Sequence, residues 1–365
     1  MGFFGFVTHF IRNSTIYLVS DLIGLDGRVR RRIQQDIDNG ITITRDFSKD
    51  NFVIFSDIHR GNRDSADRFK NELVYYKALS YYNENGYNLV LLGDIEECWG
   101  YKNRMVSLKQ ENMILLQMEM NFVKKGKYFR IIGNHDDIWR EPDLVDKYLN
   151  IKQNDSHQNL NKITPYLSVT LEHEGEKILL IHGCQGHNFS DIGDKFASEV
   201  VNFKFSHGIQ SKKDEFAKKR RKIRRQEKKI LKWARNKEMI VIMGHTHAPY
   251  FMSVPSTRFE KNSIGLIDKT LGETKDSRHM RELNKLKKDQ KIILKSIEKQ
   301  KENIKRIKDE ISPAFFNSGN CCKDSDEISA IEISDGMIKE VYWRKGVDIP
   351  EVENEKSLSE VFDLL

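Results

Sequence analysis

Short apolar runs recur along the chain, and each is followed by polar residues. The run Phe52–Phe55 is four residues long and rich in β-branched and aromatic types, which is typical of a strand buried on both faces. Four similar runs follow, at Leu89–Leu92, Tyr128–Ile132, Lys177–Ile181 and Met239–Met243. Helical spacing of apolar residues predicts helices over Asp67–Glu84 and Met105–Lys125, between the first three strands. The pattern therefore predicts an α/β protein.

Turn signals predict further strands. Glu174-Gly175 separates Leu167–Leu171 from the fourth run, and Asp335-Gly336 separates Ile328–Ile333 from Met337–Trp343, so we predict two hairpins. We expect residues 1–50 to form a largely helical N-terminal extension, with a short strand at Ile41–Thr44. Residues 51–346 then form the main domain, and residues 347–365 an acidic, loosely held tail.

Two segments have the composition of helical insertions, at about residues 208–237 and 276–311. The second contains apolar residues at heptad positions, Leu283, Leu286, Ile293, Ile297, Ile304, Ile307 and Ile311. The first, with Phe216, Ile223 and Ile230 seven residues apart, has a similarly narrow apolar seam. Because each seam is too narrow to stabilise a helix alone, we predict that the two segments pair as an antiparallel hairpin or coiled coil.

Charge is concentrated in the first insertion. The chain carries a net charge of +7, whereas Lys212–Lys237 alone holds 14 Lys and Arg against 3 acidic residues, or +11, which leaves −4 (7 − 11) for the rest. Such a segment attracts polyanions, so contact with anionic lipid or nucleic acid is one interpretation. A solvated helix face is the alternative.

The chain shows no signal for export or membrane insertion. It has no run of about 18 apolar residues, so we expect no transmembrane segment. The four cysteines, Cys98, Cys184, Cys321 and Cys322, are too few for a disulfide framework and indicate reduced thiols in the cytoplasm. Apolar residues at the N-terminus could lie on one helix face, which would pack on the domain or rest on a membrane surface.

The residues that follow the five apolar runs carry the candidate chemistry. Because ligand sites of open α/β sheets lie beyond the carboxyl ends of strands, we expect these side chains to meet. They are Asp57 and His59, Asp94, Asn134 and His135, His182, and His245 and His247.

Carboxylate, amide and imidazole donors suit divalent ions such as Mn, Fe, Zn or Co, of which Mn is our first choice. Without His135, the set offers seven donors, too many for one ion but enough for two ions that share a carboxylate. Two such ions polarise a phosphoryl oxygen and generate a bridging hydroxide for in-line attack. The set therefore predicts a phosphoester or pyrophosphate hydrolase.

The same motifs resemble those of the calcineurin-like metallophosphoesterase superfamily. The resemblance rests on Asp57-x-His59, Gly93-Asp94-x-x-Glu97, Gly133-Asn134-His135-Asp136, His182-Gly183 and Gly244-His245-x-His247. It implies a four-layer αββα sandwich of two mixed sheets over roughly residues 50–250, completed by a return strand at Asn317-Ser318-Gly319.

The resemblance also implies roles for individual residues. Asp57, His59 and His247 would hold one metal ion. Asn134, His182 and His245 would hold the other, and Asp94 would bridge the two. His135 would contact the phosphate or protonate the leaving oxygen, and Asp136 would orient His135.

The surroundings of these motifs leave the substrate open. Glu96-Glu97-Cys98-Trp99 is similar to the UDP-2,3-diacylglucosamine pyrophosphatase branch, in which the long heptad insertion is not expected. We interpret Arg60 as a surface residue rather than a phosphate contact, and Glu97 as a support for its loop. Alternatives to the hydrolase are a nuclease that uses the basic insertion and a non-catalytic scaffold of the same fold.

Overall fold

The structure is a computed structural model that describes most of the main domain. The described residues are 30–61, 67–98, 110–150, 162–186, 230, 233–234, 236–255, 258–273, 315–322, 326–365 and scattered positions between 277 and 298. The predictions for residues 1–29, for most of the basic insertion and for 299–311 lie outside these ranges.

Between residues 52 and 131, the described strands alternate with helices, as the sequence predicts. The strands are β1 (Ile41–Thr44), β2 (Phe52–Phe55), β3 (Asn88–Leu91), β4 (Tyr128–Ile131), β5 (Pro165–Tyr166), β6 (Val169–His173), β7 (Glu176–Leu180), β8 (Ile240–Met243), β9 (Tyr250–Phe251), β10 (Val254–Pro255), β11 (Phe315–Asn317), β12 (Glu327–Ser334), β13 (Met337–Arg344) and β14 (Glu351–Ser357). The helices are residues 30–38, α1 (Glu72–Glu84), α2 (Gln110–Lys124), α3 (Pro142–Tyr148), α4 (Arg258–Glu273) and α5 (Leu358–Phe362).

The described strands form two mixed sheets of seven strands each. The order in one sheet is β1-β6-β7-β8-β11-β9-β10, and in the other β14-β13-β12-β2-β3-β4-β5. Strands β2, β3 and β4 run parallel, as do β7 and β8, while the β6–β7 and β12–β13 hairpins are antiparallel. Both predicted hairpins are confirmed.

Alternation of side chains along the strands builds the layers. In β2, Phe52 and Ile54 face the opposite sheet and pack in one core with residues of β6, β7 and β8. Val53 and Phe55 face the other way and pack under α1 and α2. On the outer face of the first sheet, residues of β7 and β8 pack against Ile33 and Trp233. These layers confirm the predicted αββα sandwich.

The C-terminal residues are not a loose tail, and that prediction is wrong. Strand β14 pairs with β13 at the edge of the second sheet, and α5 packs into the core between the sheets, where Val361 is fully buried. Two acidic side chains of this segment pair with Arg258, Glu351 at 2.7 Å and Glu353 at 3.1 Å.

The second insertion follows a helix that was not predicted from the sequence. Helix α4 precedes it, and Lys287 forms an ion pair with Asp268 of α4. A continuous helix would hold these two positions about 28 Å apart, so the chain turns back between them. The chain at Lys287 therefore lies beside α4. The predicted pairing with the basic insertion stays a prediction.

Candidate metal centre

The seven predicted metal donors meet where the two sheets present the carboxyl ends of their strands. Strands β2, β3 and β4 of one sheet supply the donors that lie before residue 135, and β7 and β8 of the other sheet supply the three remaining histidines. We call this set the donor cluster: Asp57, His59, Asp94, Asn134, His182, His245 and His247.

One half of the donor cluster surrounds Asp57. Its Oδ1 lies 3.1 Å from His247 Nε2 and 3.8 Å from His59 Nε2. The two histidine Nε2 atoms are themselves 3.1 Å apart. Two imidazole nitrogens at this distance can share a proton or a cation, so the three side chains converge on one point.

The other half surrounds His182. Its Nε2 lies 3.1 Å from Asn134 Oδ1 and 3.2 Å from His245 Nδ1. Asp94 Oδ2 stands between the halves, 3.2 Å from His182 Nε2 and 3.8 Å from His59 Nε2. Asp94 is therefore the carboxylate within reach of both halves.

Each of the two carboxylates also fixes a neighbouring loop. Asp57 Oδ2 accepts a hydrogen bond from the His245 N–H at 2.8 Å, and Asp94 Oδ1 accepts one from the His135 N–H at 2.8 Å. One oxygen of each carboxylate thus joins the loops, and the other faces the imidazoles.

Three of the imidazoles are oriented through their second ring nitrogen. His59 Nδ1 contacts Glu97 Oε2 at 3.1 Å, and His182 Nδ1 donates to the Leu92 carbonyl at 2.7 Å. His247 Nδ1 contacts Cys322 Sγ at 3.6 Å. Such contacts set the tautomer and direct Nε2 into the cluster, as is usual for metal-binding histidines.

The backbone of the donor cluster is strained. Among the described residues with left-handed φ are five of the seven donors, namely Asp57, His59, Asp94, His245 and His247, with φ between 52° and 66°. This conformation costs a non-glycine residue about 1–3 kcal/mol and tends to occur at functional sites. Gly133 permits the loops to approach, because a Cβ there would lie 2.2 Å from Asp94 Oδ1.

The cluster fits a cation in two respects. Asp57 Oδ1 is buried and accepts no hydrogen bond, although His247 Nε2 lies 3.1 Å away. This is a costly state for a carboxylate oxygen unless a cation binds it. Burial acts to lower the pKa of His182, yet the Asp94 carboxylate outweighs burial and the pKa rises to about 9. The local field therefore favours positive charge.

His135 lies beside the cluster, but Asp136 does not orient it. The carboxylate of Asp136 accepts hydrogen bonds from the N–H groups of Gly133 at 2.7 Å and Ile95 at 2.9 Å. Glu97 is the residue that contacts the His135 ring, with its Oε1 2.7 Å from His135 Nδ1. Burial acts to raise the Glu97 pKa, but hydrogen bonds with His135 and His59 lower it to about 2.

Arg60 is not a surface residue, and that interpretation is wrong. It is 1% exposed and pairs with Glu96 and with Glu119, each at 2.7 Å. Arg130 also pairs with Glu96 and lies 3.6 Å from Asp136 Oδ2. The partner Glu119 is 59 residues further along the chain, so no local signal in the sequence reveals the pairing. We call these residues the charge network: Arg60, Glu96, Glu119, Arg130 and Asp136.

The fold and the donor cluster together define an αββα sandwich protein with a candidate binding site for divalent metal ions at the meeting edges of its sheets. The model of the family described as calcineurin-like phosphoesterase matches residues 51–250. That match covers more than half of the chain, and the protein belongs to this family.

Other comparisons add little to this assignment. Two similar solved structures are vacuolar protein sorting 29 of Cryptosporidium parvum, with a TM-score of 0.34, and a Vps29 single mutant of Entamoeba histolytica, with a TM-score of 0.31. Each is 12% identical, and each match covers 84% of this chain and 98% of the other chain. No curated protein matched. Within the described residues, no helix is long and apolar enough to cross a membrane.

Proposed function

We propose that the protein is a hydrolase of phosphoester or pyrophosphate bonds that depends on two divalent metal ions. The observation that carries the proposal is the convergence of seven donors on two adjacent points. At one of these points lies the buried Asp57 Oδ1, which accepts no hydrogen bond. Family membership supports the same reaction type.

The donor cluster would hold one ion between Asp57, His59 and His247 and the other between Asn134, His182 and His245, with Asp94 shared. Bound there, divalent ions would polarise the phosphoryl oxygen and lower the pKa of a water that attacks in line. The mixed oxygen and nitrogen donors support Mn, with Fe, Zn and Co as alternatives.

The remaining steps fall to the chain itself. With His135 Nδ1 held by Glu97, Nε2 is the ring nitrogen that would meet a phosphate oxygen or donate a proton to the leaving group. Glu97 also contacts His59, so one carboxylate sets the orientation of a metal donor and of the proposed acid. Asp136 would act differently from our prediction, by tying the Gly133 loop to the loop after Asp94.

The test is a hydrolysis panel on Mn-loaded protein, with metal content measured on the same sample. Phosphomonoesters, phosphodiesters and pyrophosphates, including nucleotide sugars, would be assayed. We expect hydrolysis of at least one class with about two ions bound per chain. A fully loaded sample that cleaves none of the three classes would contradict the proposal and favour a non-catalytic scaffold.

A further inference from the structure

Cys322 extends the donor cluster on the side away from Asp57. Its Sγ lies 3.6 Å from His247 Nδ1, and the side chain is 8% exposed. A nitrogen of His59, a nitrogen of His247 and this sulfur all lie within 4.8 Å of one another. Two imidazoles and a thiolate form a donor set that zinc and similar ions favour.

The His247 ring thus lies between two different kinds of metal ligand. Its Nε2 is 3.1 Å from a carboxylate oxygen, Asp57 Oδ1, and its Nδ1 faces the sulfur of Cys322. Carboxylate oxygen suits Mn or Mg, whereas thiolate suits softer ions. A site completed by the Asp57 carboxylate and a site completed by the Cys322 thiolate would both need His59 and His247. One ion at a time can therefore bind to this pair.

We propose that His59, His247 and Cys322 form a second donor set, which binds a soft divalent ion such as Zn²⁺ in competition with the set completed by Asp57. The proposal rests on the proposed function, because it assumes that His59 and His247 hold one of the ions. A soft ion bound through Cys322 would leave Asp57 Oδ1 without its cation and would inhibit the hydrolase.

The first test is a Co²⁺ titration of metal-free protein followed by absorption spectroscopy. Thiolate coordination to Co²⁺ gives a sulfur-to-metal charge-transfer band. We expect this band in the wild-type protein, its loss in Cys322→Ser and its retention in Cys321→Ser, the neighbouring buried thiol. Excess Mn²⁺ should reduce the band by competition. A band that Cys322→Ser leaves unchanged would overturn the proposal.

Affinity provides a second readout. Loss of an indirect partner of a metal costs about 10–100-fold in affinity, and loss of a direct ligand should cost no less. Cys322→Ser should therefore weaken Zn²⁺ binding at least about tenfold. Mn²⁺ binding should weaken much less, because a serine hydroxyl can still form a hydrogen bond with His247 Nδ1. Equal losses for both ions would overturn the second donor set and assign Cys322 only to the orientation of His247.

A third measurement needs no variant and so does not depend on how well Cys322→Ser folds. X-ray absorption of Zn-loaded wild-type protein should show a sulfur neighbour at about 2.3 Å. A shell of nitrogen and oxygen alone would refute the proposal. If Mn-dependent hydrolysis persisted in that case, the proposed function would stand; if no divalent ion bound at all, both would fail.

Discussion

The donor cluster and the charge network lie side by side, and both place several charges in the interior. In the charge network, the guanidinium groups of Arg60 and Arg130 face carboxylates, and Glu96 accepts a further hydrogen bond from Trp139 Nε1 at 2.9 Å. Each carboxylate there has a cationic or N–H partner within the protein. In the donor cluster, Asp57 Oδ1 has no hydrogen-bond partner, and ring nitrogens face one another.

The difference separates a structural role from a binding role. The charge network is closed with respect to its carboxylates, because their cationic partners are side chains of the protein itself. Its remaining unsatisfied atoms are two donors, the Nε atoms of Arg60 and Arg130, which lack an acceptor and so offer nothing to a cation. The donor cluster is open, because it concentrates acceptors and raises the pKa of His59, His182 and His247 despite their burial. Such an arrangement is suited to bind a cation from solution.

The largest expected effect comes from Asp94→Asn. Asparagine tolerates the left-handed backbone at this position, where φ is 54°, but it removes the charge that both halves of the cluster share. We expect hydrolysis to fall by at least about 10³-fold. The measurement is kcat/KM together with bound metal. Asp335→Asn, at the β12–β13 turn with φ of 53°, should leave both unchanged; full activity in Asp94→Asn would refute a shared carboxylate.

Arg130→Met should have a different effect from Asp94→Asn: the free energy of unfolding should fall, while all seven metal donors are kept. Removal of one member of a buried ion pair costs about 3–5 kcal/mol, because the partner charge stays buried. Urea unfolding of metal-free protein measures this loss. The exposed Arg281→Met should change stability by no more than about 0.5 kcal/mol. A similar small change for Arg130→Met would show that the charge network does not stabilise the fold.

Glu97→Gln should have an intermediate effect, because Glu97 belongs to the boundary between the two regions. The amide can accept only one of the two hydrogen bonds that Glu97 now receives from His59 and His135. We expect a loss of about 10–100-fold in metal affinity or activity, measured by calorimetry and initial rates. Glu84→Gln, on an exposed helix end, serves as the control. An unchanged pH–rate profile in Glu97→Gln would argue against the orientation of His135 by Glu97.

The smallest effect concerns Asp36, which accepts a hydrogen bond from Gln185 Nε2 at 2.6 Å. Burial raises the pKa of Asp36 above its usual 3.8. The folded state therefore holds this proton more tightly than the unfolded state, and the associated stability is lost as the pH rises through the folded-state pKa. Relative to wild type, Asp36→Asn should gain stability between pH 4 and neutrality. Urea midpoints of both proteins test this, with exposed Asp38→Asn as control; a pH-independent difference would contradict it.

The sequence predicted the fold and the donor cluster because both depend on local signals. Four apolar residues followed by Asp57-Ile58-His59 specify a buried strand and the two side chains beyond it. The charge network was not predictable, because the ion pair between Arg60 and Glu119 depends on the packing of α2. Strand β14 was missed for a related reason. Its sequence, Glu351–Ser357, is almost wholly polar, and it forms through backbone pairing with β13 and through Arg258.

The meeting of two sheets at the donor cluster has a consequence for folding kinetics. Asp57 and His245 are joined by a hydrogen bond but are 188 residues apart in the chain. Contacts of such long sequence separation form late, after the entropy of closing the intervening loop has been overcome. The two sheets must dock before either half of the cluster is complete, because each half takes donors from both sheets. Metal binding would therefore report the last step of folding, and its recovery during refolding should trail the recovery of secondary structure.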